Sequence, residues 1–95
     1  MITHVVMVKL KDPTPDNLNG AVKKIRDLEG RIEVLKSMEV GTDIVHSERS
    51  YDLALIARFD SLDDLKSYNI HPIHLPVLEY VKSLASSMAA VDFES

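Results

Sequence analysis

Cysteine is absent from the 95 residues. The chain therefore has no disulfide framework, no thiolate nucleophile and no thiolate metal ligand, and it fits a reducing cytoplasm. Long apolar runs are also missing, and none nears the roughly 18 residues that a membrane-spanning helix needs. The opening MITHVVMVKLKD has no basic segment ahead of its apolar part, so no signal peptide is read and a cytoplasmic protein is expected. Nor is there an excess of positive charge. Fifteen acidic residues against eleven Lys and Arg give a formal net charge of −4. Nucleic-acid binding needs a clustered basic surface, so no nucleic-acid partner is expected, and no membrane partner either. Repeats, linkers and low-complexity segments are lacking. What is left is one domain over residues 1–95, 45% hydrophobic and 27% charged, as in ordinary soluble proteins. A core of this size is modest, and a second subunit would help it.

Two periodicities alternate along the chain. ITHVVMVKL is rich in β-branched residues and reads as a strand. Ile2, His4, Val6, Val8 and Leu10 share one face of it; Thr3, Val5, Met7 and Lys9 share the other. Both faces are largely apolar, which predicts a central strand covered on both sides. DPTPD then breaks the chain. Thr14 can cap a helix and Pro15 suits its first position. Leu18, Ala21, Val22, Ile25 and Leu28 form its apolar stripe, Gly20 is a weak point within it, and Gly30 is its natural stop.

RIEVLKSMEVG predicts a second strand from Val34 to Val40, and TDIVHSERS a loop carrying a solvated His46. YDLALIARFD predicts a third strand. Ser61 caps a short helix whose inner face is Leu62, Leu65 and Tyr68, with Asp64 completing a capping-box pattern. Pro72 stops that helix, because the residue before a proline is pushed out of the helical region. Pro76 suits the first turn of another, in which Val77, Leu78, Val81, Leu84 and Ala85 face inward. SMAAVDFES is the last strand. Strand, helix, strand, strand, broken helix, strand is the split βαβ order of a ferredoxin-like α+β fold, an antiparallel sheet with helices on one face. The other face, with Val5, Met7, Ala54 and Ile56, needs a cover, and a second copy would supply it.

The stretch YNIHPIHLP holds two of the four histidines, three residues apart, with a tyrosine three before the first. Three readings of Tyr68, His71 and His74 stay open. They can satisfy free backbone groups at a helix junction. They can hold a metal, with His4 as a third ligand and Asp92 as a fourth, although no motif fixes that geometry. Or they can do acid–base chemistry. A histidine at a helix N-terminus is biased toward its neutral, basic form, and a tyrosine hydroxyl can donate to a developing oxyanion. His4, alone, reads as a satisfied core histidine and gains a role only if it meets the others in one pocket. Asp92 and Arg58 read as ordinary surface or interface charges, and Lys9 and Lys11 as solvated strand ends.

Taken together, THVVMVKLK with its early histidine, VGTD, YDLALIARFDSLDDLKSYNIHPIH and AAVDF make the chain resemble the stress-responsive A/B barrel (Dabb) family over nearly its whole length. The resemblance implies a ferredoxin-like subunit that pairs as a homodimeric α/β barrel. Many such proteins are stress-induced. A plant polyketide cyclase among them works without a cofactor, and its catalytic tyrosine and histidine match Tyr68 and His74. Histidines also occur there at the positions of His4 and His71. By that resemblance Tyr68 and His74 are catalytic candidates and His4 and His71 are ligand-binding candidates; some relatives carry a magnesium ion near the dimer interface, but no carboxylate cluster here demands one, and neither a cofactor nor a metal is expected. A non-catalytic assembly homodimer and a metal-binding module stay open as alternatives.

Overall fold

The computed structural model describes all 95 residues. Its elements run β1 (Ile2–Leu10), α1 (Pro15–Arg26), β2 (Ser37–Thr42), β3 (Leu53–Phe59), α2 (Leu62–Asn69), α3 (His74–Leu84) and β4 (Ala85–Glu94). The four strands form one antiparallel sheet in the order β2-β3-β1-β4. This is the ferredoxin-like α+β arrangement. None of the helices is long and apolar enough to cross a membrane.

Alternation along β1 and β3 decides which face is inside. Val6, Val8, Leu10, Leu53, Leu55, Ala57 and Phe59 are buried in the core beneath the helices. Each large apolar side chain there contributes about 1.5–3 kcal/mol by leaving water. On the opposite face Val5 lies between Ile56 and Val91 in neighbouring strands. That face has no helix over it. Met7, Val91 and Phe93 are 39%, 60% and 46% exposed there.

The helix signals act as expected at two points. Thr14 Oγ1 accepts from the Asn17 amide at 3.2 Å, and Pro15 opens α1. Ser61 Oγ accepts from the Asp64 amide at 3.1 Å and opens α2. The expected stop is corrected: α1 ends at Arg26 with Asp27 as its C-cap, so Leu28 lies in the turn that follows, and Gly30 with φ 83° supplies that turn's left-handed conformation, which favours glycine. Gly20 also has a packing reason. A Cβ there would lie 2.7 Å from the Tyr80 hydroxyl, so its bare backbone leaves room for the tip of that side chain.

Four more expectations need correction. The second strand starts at Ser37, not Val34, and runs on to Thr42. Ile32 and Leu35 belong instead to a turn, closed by the Leu35 amide on the Ile32 carbonyl at 3.2 Å, and both are buried there. The third strand begins at Leu53. Asp52 ahead of it turns its carboxylate onto the Leu10 amide at 2.7 Å. Leu62 is 53% exposed, because it precedes the inward stripe of α2. The last helix starts at His74, and Pro76, its third residue, lies in the first turn as expected. Ala85 is the first residue of β4 and not part of that helix's inner face.

Candidate functional site

Pro72 divides α2 from α3, and the backbone groups freed at that break are satisfied by His71. Its carbonyl accepts from the His74 amide at 2.9 Å and the Leu75 amide at 3.0 Å. Its ring Nδ1 accepts from the Ile73 amide at 3.1 Å. Because that nitrogen accepts, the neutral ring carries its proton on Nε2. His71 therefore closes the N-terminal end of α3, which has no side-chain cap from its own N-cap residue Ile73. His71 is not among the residues lining the cavity described next.

The cavity lies between the sheet and the helices, with a volume of about 220 Å³. Twelve of its fifteen lining residues are hydrophobic. His4, Tyr68 and His74 all line it, so three of the four candidate residues look into one space. Val6 and Val8 form its floor, Val77, Leu78 and Val81 form one wall, and Met88 to Ala90 of β4 form another. The ring centroids of Tyr68 and His74 are 4.2 Å apart. His4 meets Tyr68 edge-on at 6.3 Å. Phe59 backs the tyrosine ring at 4.9 Å.

Hydrogen bonds set the working atoms. His74 Nδ1 donates to the Asn69 carbonyl at 3.2 Å, back across the proline bend. A carbonyl only accepts, so the proton sits on Nδ1 and Nε2 is the basic nitrogen. His4 Nδ1 donates to Asp92 Oδ1, an arrangement that fixes its tautomer in the same way. The Tyr68 hydroxyl has no hydrogen-bond partner in the chain, and the one fully enclosed polar side-chain atom left without a partner is Ser37 Oγ. Asp92 is thus no ordinary surface charge. Its partner is His4, while Arg58 pairs with Glu39 at 3.1 Å. No three His, Asp or Glu side chains come together as a metal-holding group; two of the proposed ligands have their Nδ1 committed to backbone. His46 lies in the β2–β3 loop with φ 57°, its amide donating to Asp43 Oδ2 at 2.6 Å.

Comparison with known proteins now decides the family. A family model described as the stress responsive A/B barrel domain matches residues 2–95. The chain belongs to the Dabb family. A stress-response A/B barrel domain-containing protein of Arabidopsis thaliana is 30% identical over 97 residues, which cover 98% of this chain and 46% of that protein. The chain thus spans about half the length of that relative. A dimeric protein of unknown function with a ferredoxin-like fold from Bacteroides fragilis superposes with a TM-score of 0.87 at 32% identity, covering 99% of this chain and 95% of that one. The hydroxynitrile lyase of Passiflora edulis shares the fold, with a TM-score of 0.85 at 14% identity over 97% of this chain and 90% of that one. The fold of a Dabb chain therefore also carries an enzyme.

Electrostatics in the Dabb cavity favour neutral side chains. Burial pushes the Tyr68 phenol up to about 12, so it stays a donor throughout the physiological range. Burial is also the main cause that lowers the His74 pKa; the Asn69 carbonyl opposes it, and His4 and His71 add to it. The unfolded chain, with an ordinary imidazole near 6.5, thus binds a proton before the folded chain does. Stability is full above that value. It falls as pH drops from there through the lowered folded value. Denaturant titrations of the parent are expected to show this acid-side slope. A His74→Gln variant, followed the same way, should flatten it; an unchanged slope would assign the proton uptake to another group.

Proposed function

We propose that this Dabb chain works as a homodimer whose inner cavity binds a small organic molecule and carries out cofactor-free proton transfer beside a carbonyl. The observation that carries this reading is one pair of groups. A tautomer-fixed His74 and an unpartnered Tyr68 hydroxyl share an apolar cavity, with their rings 4.2 Å apart. His74 Nε2 takes a proton from the carbon next to the carbonyl. The C–H electron pair moves into a C=C bond, and the carbonyl oxygen becomes an oxyanion held by the Tyr68 O–H. Return of the proton from His74 to a different carbon completes an isomerisation; alternatively the enolate carbon attacks a second carbonyl and His74 returns its proton to the new alkoxide, completing an aldol-type ring closure. His4, oriented by Asp92, meets the tyrosine ring edge-on and helps to set its position. His71 supports the bend that aims His74.

The homodimer rests on the uncovered apolar face of the sheet and on the dimeric Bacteroides relative. A cytoplasmic setting completes the reading. A second reading, a non-catalytic assembly dimer, is favoured by the bond from His74 to Asn69, which pins the bend whether or not chemistry follows.

Deuterium exchange at the carbon beside the carbonyl, followed by NMR over a panel of uncharged ketones in heavy water, separates the two. The parent should accelerate exchange, and His74→Ala should cut that acceleration by about 10²–10⁴, the usual contribution of a general base. Equal rates for parent and variant, with the variant folded, would leave only the assembly dimer.

A further inference from the structure

We infer, building on the acid–base reading above, that the cavity selects an uncharged one-ring or short-chain compound bearing a carbonyl and no ionised group, and that it rejects anions of the same size. Volume sets the first limit. About 220 Å³ exceeds the roughly 150 Å³ that holds benzene and falls below the roughly 300 Å³ at which drug-sized pockets begin. One ring with a short substituent fills it.

Charge sets the second limit. No Lys or Arg lines the cavity. Arg58 and Lys9 point from the other face of the sheet, since they share register positions with Thr3 and Ser87, and Lys24 is occupied over the Tyr80 ring at 5.4 Å. The nearest formal charge behind the lining is the Asp92 carboxylate on His4, which repels an anion.

The start of α3 is the one element that would ordinarily attract an anion here. His74, its first residue, lines the cavity. Yet its donors are spent. His71 takes the amides of Ile73, His74 and Leu75, and Pro76, next along, has no N–H. The histidine outside the cavity thus has a consequence inside it: it removes the backbone donors that a carboxylate would use. An anion entering this space would meet apolar walls, two imidazoles and a phenol, with no cation. A neutral carbonyl needs only the hydrogen bond that the Tyr68 hydroxyl offers.

The test is a two-dimensional NMR titration of the full chain at neutral pH with acetophenone and, separately, benzoate, two molecules of similar size that differ in charge. Acetophenone is expected to give saturable shifts at Tyr68, His74 and Val81, and benzoate to bind at least about 30-fold more weakly, because an unpaired anion is costly to bury. Benzoate binding as tightly as acetophenone at the same residues would overturn the selection for neutral ligands while leaving the pocket intact. Failure of both to bind would overturn this inference together with the small-molecule reading beneath it.

Discussion

A Val91→Lys variant is expected to sediment as a monomer at concentrations where the parent is a dimer. Val91 stands in β4 directly across from Val5, which in turn faces Ile56 on β3. The three form a row through the middle of the face that no helix covers. In the free subunit Val91 is already 60% exposed. A lysine there stays in water, and surface changes of that kind usually alter stability by no more than about 0.5 kcal/mol. In the paired state the same ammonium is enclosed between two apolar sheets. Glu39, the nearest acidic group on that face, is engaged with Arg58. An uncompensated buried charge costs about 3–5 kcal/mol. A two-fold interface meets that charge twice, since the same patch lies on both subunits. The dissociation constant should rise by at least about two orders of magnitude. Thermal melts of dilute protein would check that the variant folds. Undiminished dimer formation by Val91→Lys would mean that pairing uses another surface, the helical one or a sheet edge, and that the exposed row has a different purpose.

How legible this fold was depends on where local pattern and tertiary structure agree. β1 and β3 alternate cleanly, and alternation with two apolar faces already implied a central position. α1 could be read from a cap, a proline and a stripe that all say the same thing. β2 misled because Ile32, Val34, Met38 and Val40 keep an even spacing across what is a turn followed by a strand. The turn buries Ile32 and Leu35 without strand pairing, and period alone does not separate those cases. Leu62 misled for a related reason: an apolar residue next to a cap need not lie on the stripe.

At the site, residue types pointed to His4, Tyr68 and His74, and long-range topology brings them to one cavity. His71 shared the i, i+3 spacing with His74, but that spacing places two rings on one face only within an unbroken helix. Pro72 breaks the helix, and the freed amides claim the ring. Two contributors had no local signal. The Asn69 carbonyl is backbone. Asp92 meets His4 only through the β1–β4 register, which pairs residues 88 apart in sequence. A reader who had fixed that register first would have found the pair.

Tyr68 is where scaffold and chemistry overlap most, and two substitutions at that position should part them. Tyr68→Ala removes one of the largest fully buried side chains. Its ring packs against Phe59 at 4.9 Å and His74 at 4.2 Å, and the loss should cost about 3–5 kcal/mol. For a chain of this length each kcal/mol moves the melting temperature by about 4–8 °C, so Tyr68→Ala should melt far below the parent or fail to fold. Tyr68→Phe keeps the ring and takes away only an oxygen that has no partner in the chain. No buried group is left unsatisfied by its removal, and the melt should shift by only a degree or two in either direction. The chemistry should not be spared. If the phenol holds the oxyanion, its loss should slow exchange beside the carbonyl by about 10²–10³, the usual effect of deleting one such donor. Because burial holds the phenol near 12, the parent's rate should also show no alkaline fall from this group until well above pH 10. A stable Tyr68→Phe protein that exchanges as fast as the parent would reduce Tyr68 to a spacer between Phe59 and His74. A Tyr68→Phe protein as unstable as the alanine variant would mean that the hydroxyl serves the fold.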